Sequence, residues 1–312
     1  MRTIDLSKKW IAQAQVMVEA NYSEEYSVVN QLPHEINIPP LEVLFENGMG
    51  VAVVEGERLL GFLSAYGPWK PAFCTPDTVG VFSPLHAHAV QRENRQKIWR
   101  MLYQAAARKW VSHGASSHAI TLYAHDSEAK DALFMYGFGV RCVDLMRDMG
   151  EIRAANVCEC VELTDSSIPD LTTLRRLLVN HLAESPCFMK HDPNWVNEWL
   201  VQKAKSDVRV FAAKADKKIV AYIEAQKEGE NFVSDSANTM NICGAYCLPE
   251  YRGRGIAQAL LQRMIETFSR EGYQYLGVDC ESINPCAFSF WSKYFNAYTY
   301  SVVRRIDENA VR

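Results

Sequence analysis

The 312-residue chain contains no apolar run approaching the roughly 20 residues that a membrane-spanning helix needs. Its opening stretch, MRTIDLSKKWIAQAQ, lacks the apolar core of a signal peptide. An excess of one charge is missing too. The net charge is −4, with acids and bases interspersed, so no basic stripe offers itself to a nucleic-acid backbone. A disulfide framework is absent: nine cysteines, an odd number, lie scattered along the chain. Reduced thiols in a cytoplasmic protein are the simplest reading. Metal-ligand sets are incomplete. Cys158 and Cys160 form a C-x-C with no second pair at zinc spacing, and His86 and His88 share a strand face with no carboxylate or cysteine nearby to complete a site. The expectation is therefore no metal, no membrane and no nucleic acid. What remains is 48% hydrophobic and 22% charged, the balance of a soluble globular chain, and long enough for roughly two domains.

An internal repeat organises it. GVAVVEGERLLGFLSAY (50–66) and VFAAKADKKIVAYIEAQ (210–226) both read strand, charged turn, strand. Leu59, Leu60, Gly61 and Phe62 match Ile219, Val220, Ala221 and Tyr222 at a shift of 160 (219 − 59). Farther on the shift becomes 158 (284 − 126), where Leu102 meets Leu260, Asp126 meets Asn284, Ala129 meets Ala287 and Arg147 meets Arg305. Each half reads strand, helical region, hairpin, strand, helix, strand, helix, strand. This is a mixed α/β pattern, with a boundary expected between Gly150 and Val157 and domains over 1–150 and 151–312.

One stretch stands out: PEYRGRGIAQALLQRM, residues 249–264. Leu260, Leu261, Met264, Ile265 and Phe268 fall on one helical stripe. Glycine is costly inside a helix, so Gly253 and Gly255 call for a backbone reason. A loop that opens a helix after a strand suits phosphate, because the first N–H groups and the dipole point at it. It is not a Walker loop, since no Lys-Ser/Thr follows. Nor is it a dinucleotide fingerprint, because the third glycine is missing and the loop comes after a hairpin, well into its domain.

Arg252-Gly253-Arg254-Gly255-Ile256-Ala257 resembles the [QR]-x-x-G-x-[GA] signature of the GNAT superfamily of acyl-CoA-dependent N-acetyltransferases. Asn284, Ala287, Phe290 and Trp291 resemble the family's N-x-x-A-x-x-F-[YW] helix. The resemblance is good from about Cys158 to Glu308 and weaker from Met1 to Gly150. It implies two tandem GNAT-like domains, each a mixed twisted sheet flanked by helices. It further implies acetyl-CoA as co-substrate, with its pyrophosphate on the N–H groups from Gly253 to Gln258 and charge from Arg252 and Arg254. Ala245, Tyr246 and Cys247 would bond the pantetheine arm and polarise the thioester carbonyl. Asn284 would bond the pantetheine or hold the local strand gap. The implied acceptor is a primary amine of a small molecule or peptide, attacking directly. A homo-oligomer is compatible with this reading. A non-catalytic acyl-CoA-binding or protein-interaction role is the alternative.

Two departures bear on chemistry. Trp291 stands where many relatives place an acidic tyrosine, and its indole cannot readily give up a proton. Tyr294, three residues on, is the candidate acid, with solvent as the other source. For the base, Asp279 matches a position where some relatives carry a catalytic Glu, while Glu281 and Glu224 remain open. The first half departs further. AVQRENRQKIWRML (89–102) has no glycine where the loop should be, and Glu93 and Gln96 would crowd a pyrophosphate. That half is expected to keep the fold and to have lost efficient cofactor binding.

Overall fold

The computed structural model of the chain describes all residues except Cys74, Asn156, His191, Pro193, Ala204, Lys205, Ser206 and Arg312. It divides into two compact units. One comprises Met1–Asn30, Ile36–Val143 and Ala297–Arg312; the other comprises Gln31–Glu35 and Asp144–Asn296.

The first unit holds β1 (Arg2–Asp5), α1 (Ile11–Val28), α2 (Glu42–Glu46), β2 (Val51–Glu55), β3 (Arg58–Leu63), β4 (Tyr66–Trp69), β5 (Gly80–Ser83), β6 (His88–Val90), α3 (Arg95–Ser112), β7 (Ser117–Tyr123), α4 (Ser127–Phe134) and the start of β8 (Gly139–Asp148). β1, β2, β3 and β6 pair in that order, and β5 runs parallel to β7. Trp99, Tyr103 and Trp110 on α3 are buried against the sheet. The Trp110 indole donates to the Met49 carbonyl at 3.0 Å, so the ring is buried without an orphaned N–H.

The second unit holds the end of β8, then β9 (Glu159–Glu162), α5 (Thr172–Ala183), α6 (Trp195–Lys203), β10 (Arg209–Ala215), β11 (Lys218–Gln226), β12 (Thr239–Cys247), α7 (Ile256–Arg270), β13 (Tyr275–Glu281) and α8 (Pro285–Trp291). Its strands run β13-β12-β11-β10-β9. The β10–β11 hairpin turns on Asp216 and Lys217, at φ 49° and 64°. Two consecutive left-handed residues match the twist of the strands they join. The expected stripe of α7 is buried at all five positions, Leu260, Leu261, Met264, Ile265 and Phe268. Phe268 meets Phe211 edge-on at 5.5 Å. Among the described residues no helix is long and apolar enough to cross a membrane.

The repeat persists in the strand pairing. Ala52 pairs with Phe62, and 160 residues on (212 − 52) Ala212 pairs with Tyr222. The parallel ladder begins at Gly80 with Ser117 in one half and at Thr239 with Tyr275 in the other. The compact units nevertheless cross the division expected near residue 150. The closing strand β14 (Asn296–Arg305) pairs antiparallel with β7, from Thr299 opposite Tyr123 to Arg305 opposite Ser117. That ladder places Ala297–Arg312 in the first unit, while Asp144–Asp148 of β8 falls in the second.

Candidate active site

The site is built where β12 runs into α7. Between them lie a short 3₁₀ turn (Pro249–Tyr251), Arg252 and the glycine pair. Gly253 and Gly255 sit at φ 72° and 81°, the left-handed region that side chains with a Cβ resist. A Cβ at Gly253 would meet nothing within 4 Å, and one at Gly255 would meet only Val157, at 3.9 Å. The glycines therefore serve backbone conformation and leave an open surface. Gly255 is the N-cap of α7, and among the described residues no side chain caps that end. The first-turn N–H groups are thus presented outward, as an anion site requires. Arg252 fastens the loop: its Nε donates to the Cys247 carbonyl at 3.0 Å, and its guanidinium lies 5.4 Å from the Tyr246 ring centroid. Arg254 instead stacks on Tyr251 at 5.6 Å.

This loop forms one wall of a cavity of about 480 Å³. Ala245, Tyr246, Cys247, Arg252, Gly253, Gly255, Ile256, Ala257, Gln258 and Asn284 all line it. Of the cofactor residues expected from the sequence, Arg254 alone does not. The opposite wall is the edge of β12. Its ladder with β13 ends at Ile242 opposite Val278, whereas its ladder with β11 continues to Cys247 opposite Ala221. Among the described residues, the strand past Ile242 is paired on one side only, and its Ala245, Tyr246 and Cys247 line the cavity.

Asn284 is an N-cap: its Oδ1 accepts from the Ala287 N–H at 3.3 Å, which starts α8. Trp291 is 5% exposed and packs edge-on against Phe290 and Phe295. Its size is used for packing. Tyr294 also lines the cavity, half-buried, with its ring 5.2 Å from Phe290. It does not sit on the helix as its spacing suggests. α8 ends at Trp291, and Tyr294 belongs to the turn beyond, its N–H bonded to the Trp291 carbonyl.

Asp279 stands on β13 just past the last rung shared with β12 and does not line that cavity, so it is not brought to the same wall as Tyr294. Burial pushes its carboxyl up to about 8, with Glu230, Asp144 and Glu281 adding to the shift. Burial likewise raises the Cys247 thiol, with the Arg252 charge opposing the shift, which disfavours the thiolate. Glu224 is not a solvated base. It is 1% exposed and bonded to Arg175 of α5 at 3.2 Å and to the Trp199 indole of α6 at 3.4 Å. Sequence reading missed Arg175, Trp199 and Gly244. The one available signal was a glycine inside a strand, which marks a bulge or a close approach.

The corresponding seat in the first unit is filled by its own side chains. The loop between β6 and α3 is short, and α3 begins at Arg95, so Gln96 lies in a helix and not in a loop. Asn21 of α1 bonds the free edge of β6, accepting from the Val90 N–H at 3.1 Å and donating to its carbonyl at 3.0 Å. Arg95 donates to the Val90 and Gln91 carbonyls and pairs with Glu24 (2.7 Å) and Asp126 (3.4 Å). Asp126 caps α4 through Ala129 just as Asn284 caps α8 through Ala287. The cleft left beside this network, about 340 Å³, is lined by Glu24, Glu25, Asp126 and Glu128 among others.

Residues 177–296 match the model of the acetyltransferase (GNAT) family. Among solved structures, a GCN5-related N-acetyltransferase from Sphaerobacter thermophilus is similar at TM-score 0.53 and 15% identity, over 82% of this chain and 80% of that one. A GCN5-related glucosamine N-acetyltransferase region of a fungal multi-domain β-N-acetylglucosaminidase is similar at TM-score 0.52 and 10% identity, over 97% of this chain and 38% of that one. No curated protein matches the chain. At such identities the likeness is one of fold. The segment that matches the GNAT family model, residues 177–296, spans the glycine loop, the lining of the cavity and the α8 cap.

Proposed function

We propose that the protein is an acetyl-CoA-dependent N-acetyltransferase that acetylates a primary amine of a small molecule or peptide. One observation carries the reading. Two left-handed glycines open an uncapped helix N-terminus onto a cavity that reaches the unpaired edge of β12. That arrangement suits a diphosphate at one end and a thioester at the other. Acetyl-CoA would supply the activated acetyl group. The chain's own groups do the rest. The N–H groups from Gly253 to Gln258 and the Arg252 guanidinium hold the diphosphate. Backbone donors of Ala245–Cys247 hold the carbonyl oxygen as charge develops on it. As the amine attacks, a C–N bond forms and the C–S bond breaks. The amine's proton passes through water to the Asp279 carboxylate, which lies outside the cavity lining, and the departing thiolate takes one from Tyr294.

The first half is proposed as a GNAT-like domain that has given up the cofactor, because Asn21 and Arg95 occupy the groups a pantetheine arm would use. The described cysteines are free thiols, in keeping with a reducing, cytoplasmic setting. Incubation with acetyl-CoA and a panel of amines, read by release of free thiol, tests the activity. Amine-dependent release is expected, and absence of coenzyme A binding would overturn the reading. A second reading, non-catalytic acyl-CoA binding, is favoured by the buried Trp291 at the family's tyrosine position. It requires cofactor binding with no thiol release for any amine.

A further inference from the structure

The thioester edge of β12 carries an irregularity that the glycine loop does not explain. Along the β11–β12 ladder, Glu224 pairs with Gly244 and the next rung joins Ala225 to Ile242. Cys243 is therefore an extra residue, a bulge, placed immediately after the last β12–β13 rung at Ile242. Bulges bend a strand and increase its local twist, and here the bend begins where the two strands part. Directly against it lies a buried ion pair. Arg175 of α5 and Glu224 of β11 are 6% and 1% exposed, with Nη1 to Oε1 at 3.2 Å. The Trp199 indole of α6 donates to the other carboxylate oxygen, and its ring lies 5.0 Å from the Arg175 guanidinium. The pair fills the space that a side chain at residue 244 would need. A Cβ there would come to 2.8 Å from Arg175 Nη1 and 3.2 Å from Glu224 Cδ.

We propose that Arg175 and Glu224 are positioning residues for acyl transfer. Pressed against the Cβ-less Gly244, they hold the β12 bulge in one shape and so set where the backbone donors of Ala245–Cys247 point. This inference rests on the reading of β12 as the thioester edge. Three elements converge on one backbone position: α5 brings the cation, β11 the anion and α6 an indole that fixes the anion's second oxygen. An ion pair taken out of water is a costly way to gain stability alone, since apolar residues of similar volume serve as well. Its planar, directional contacts suit it to fixing geometry.

The test uses the full chain with three variants: Glu224→Gln, Gly244→Ala, and Gly244→Ala combined with Arg175→Lys, which withdraws the nearest clashing atom. Binding of 3′-phospho-ADP, the nucleotide half of coenzyme A, by calorimetry is the folding control, because it reaches the Gly253–Gln258 loop without the pantetheine arm that Ala245–Cys247 would bond. The expected result for both single variants is a fall in kcat of about 10- to 100-fold, the scale of an ångström-sized misplacement, with affinity for 3′-phospho-ADP within about twofold of wild type. The double variant should recover part of the kcat lost in Gly244→Ala. Wild-type kcat in both single variants overturns the proposal. So does a kcat loss that merely follows lost 3′-phospho-ADP binding. Hydrogen–deuterium exchange reads the same geometry without turnover. The single variants should speed exchange at residues 243–248 and leave α7 and β13 unchanged. Exchange equal to wild type at 243–248 overturns the proposal even if the chain acetylates nothing, whereas inactivity of the wild type counts against the proposed function alone.

Discussion

Asn21 pairs with Val90 through both hydrogen-bonding groups of its carboxamide, at 3.0 and 3.1 Å. An amide laid against a free strand edge is the contact proposed for the pantetheine arm in the other half. There the residue in register with Val90 is Cys247: Val90 lies opposite Gly61, and Cys247 lies opposite Ala221. The first half satisfies this edge internally.

Calorimetric titration should therefore give one coenzyme A per chain. Asn21→Ala should not create a second site, because Arg95 still bonds the Val90 carbonyl and pairs with Glu24 and Asp126. It should lower stability, since the Val90 N–H loses its partner and an unsatisfied buried group costs about 1–3 kcal/mol. Two equivalent sites in the wild type would defeat the idea.

The glycine loop is tested by a strain-matched pair. Gly255 and Gly114 sit at φ 81° and 85°, so any Cβ at either pays a similar backbone cost. Gly255→Glu also places a carboxylate near the diphosphate; like charges 4 Å apart repel by about 4 kcal/mol at an effective dielectric of 20, so affinity should fall at least about 100-fold even after screening. Gly114→Ala should leave affinity unchanged. Equal affinities would remove the loop from cofactor binding.

Tyr294→Phe should lower kcat by at least about tenfold while leaving cofactor affinity intact, since general acids contribute about 100- to 10,000-fold and water substitutes in part. Trp291→Tyr is a harsher change than its position in the motif suggests, because the indole is buried between Phe290 and Phe295. If Tyr294→Phe matches wild type in kcat and KM, the phenol is a packing group and solvent is the proton source.

Asp279 predicts a pH dependence with a definite sign. Its folded value, about 8, lies above the ordinary 3.8. The unfolded chain therefore loses this proton first. The contribution to stability is full below about pH 4, declines as pH rises towards 8, and is flat beyond. Asp279→Asn should gain on wild type in melting temperature across that window. In the proposed base role, wild-type kcat/KM should rise through about pH 8, and Asp279→Asn should abolish the rise. A flat profile that matches the variant's would dismiss Asp279 from proton transfer.

Much of this was legible in the sequence, for a local reason. The α7 stripe depends only on helical spacing, so Leu260 through Phe268 could be read directly. The glycine loop and the start of α7 lie within a few consecutive residues, where motif and conformation coincide, whereas Asn284, expected at the pantetheine or the strand gap, caps α8. The repeat was legible too, because strand registers inherit sequence spacing. Four things waited for the tertiary structure. β14 pairs with β7 across more than 170 residues of chain (299 − 123), a choice among strand edges that no local pattern makes. α8 stops at Trp291, which moves Tyr294 off the helix. Asp279 is titrated by burial and by Glu230 and Asp144, groups distant in sequence. Glu224 is ion-paired because α5 delivers Arg175 to the face of β11. Spacing along the chain sets conformation, while charge, burial and edge pairing depend on which neighbours folding brings.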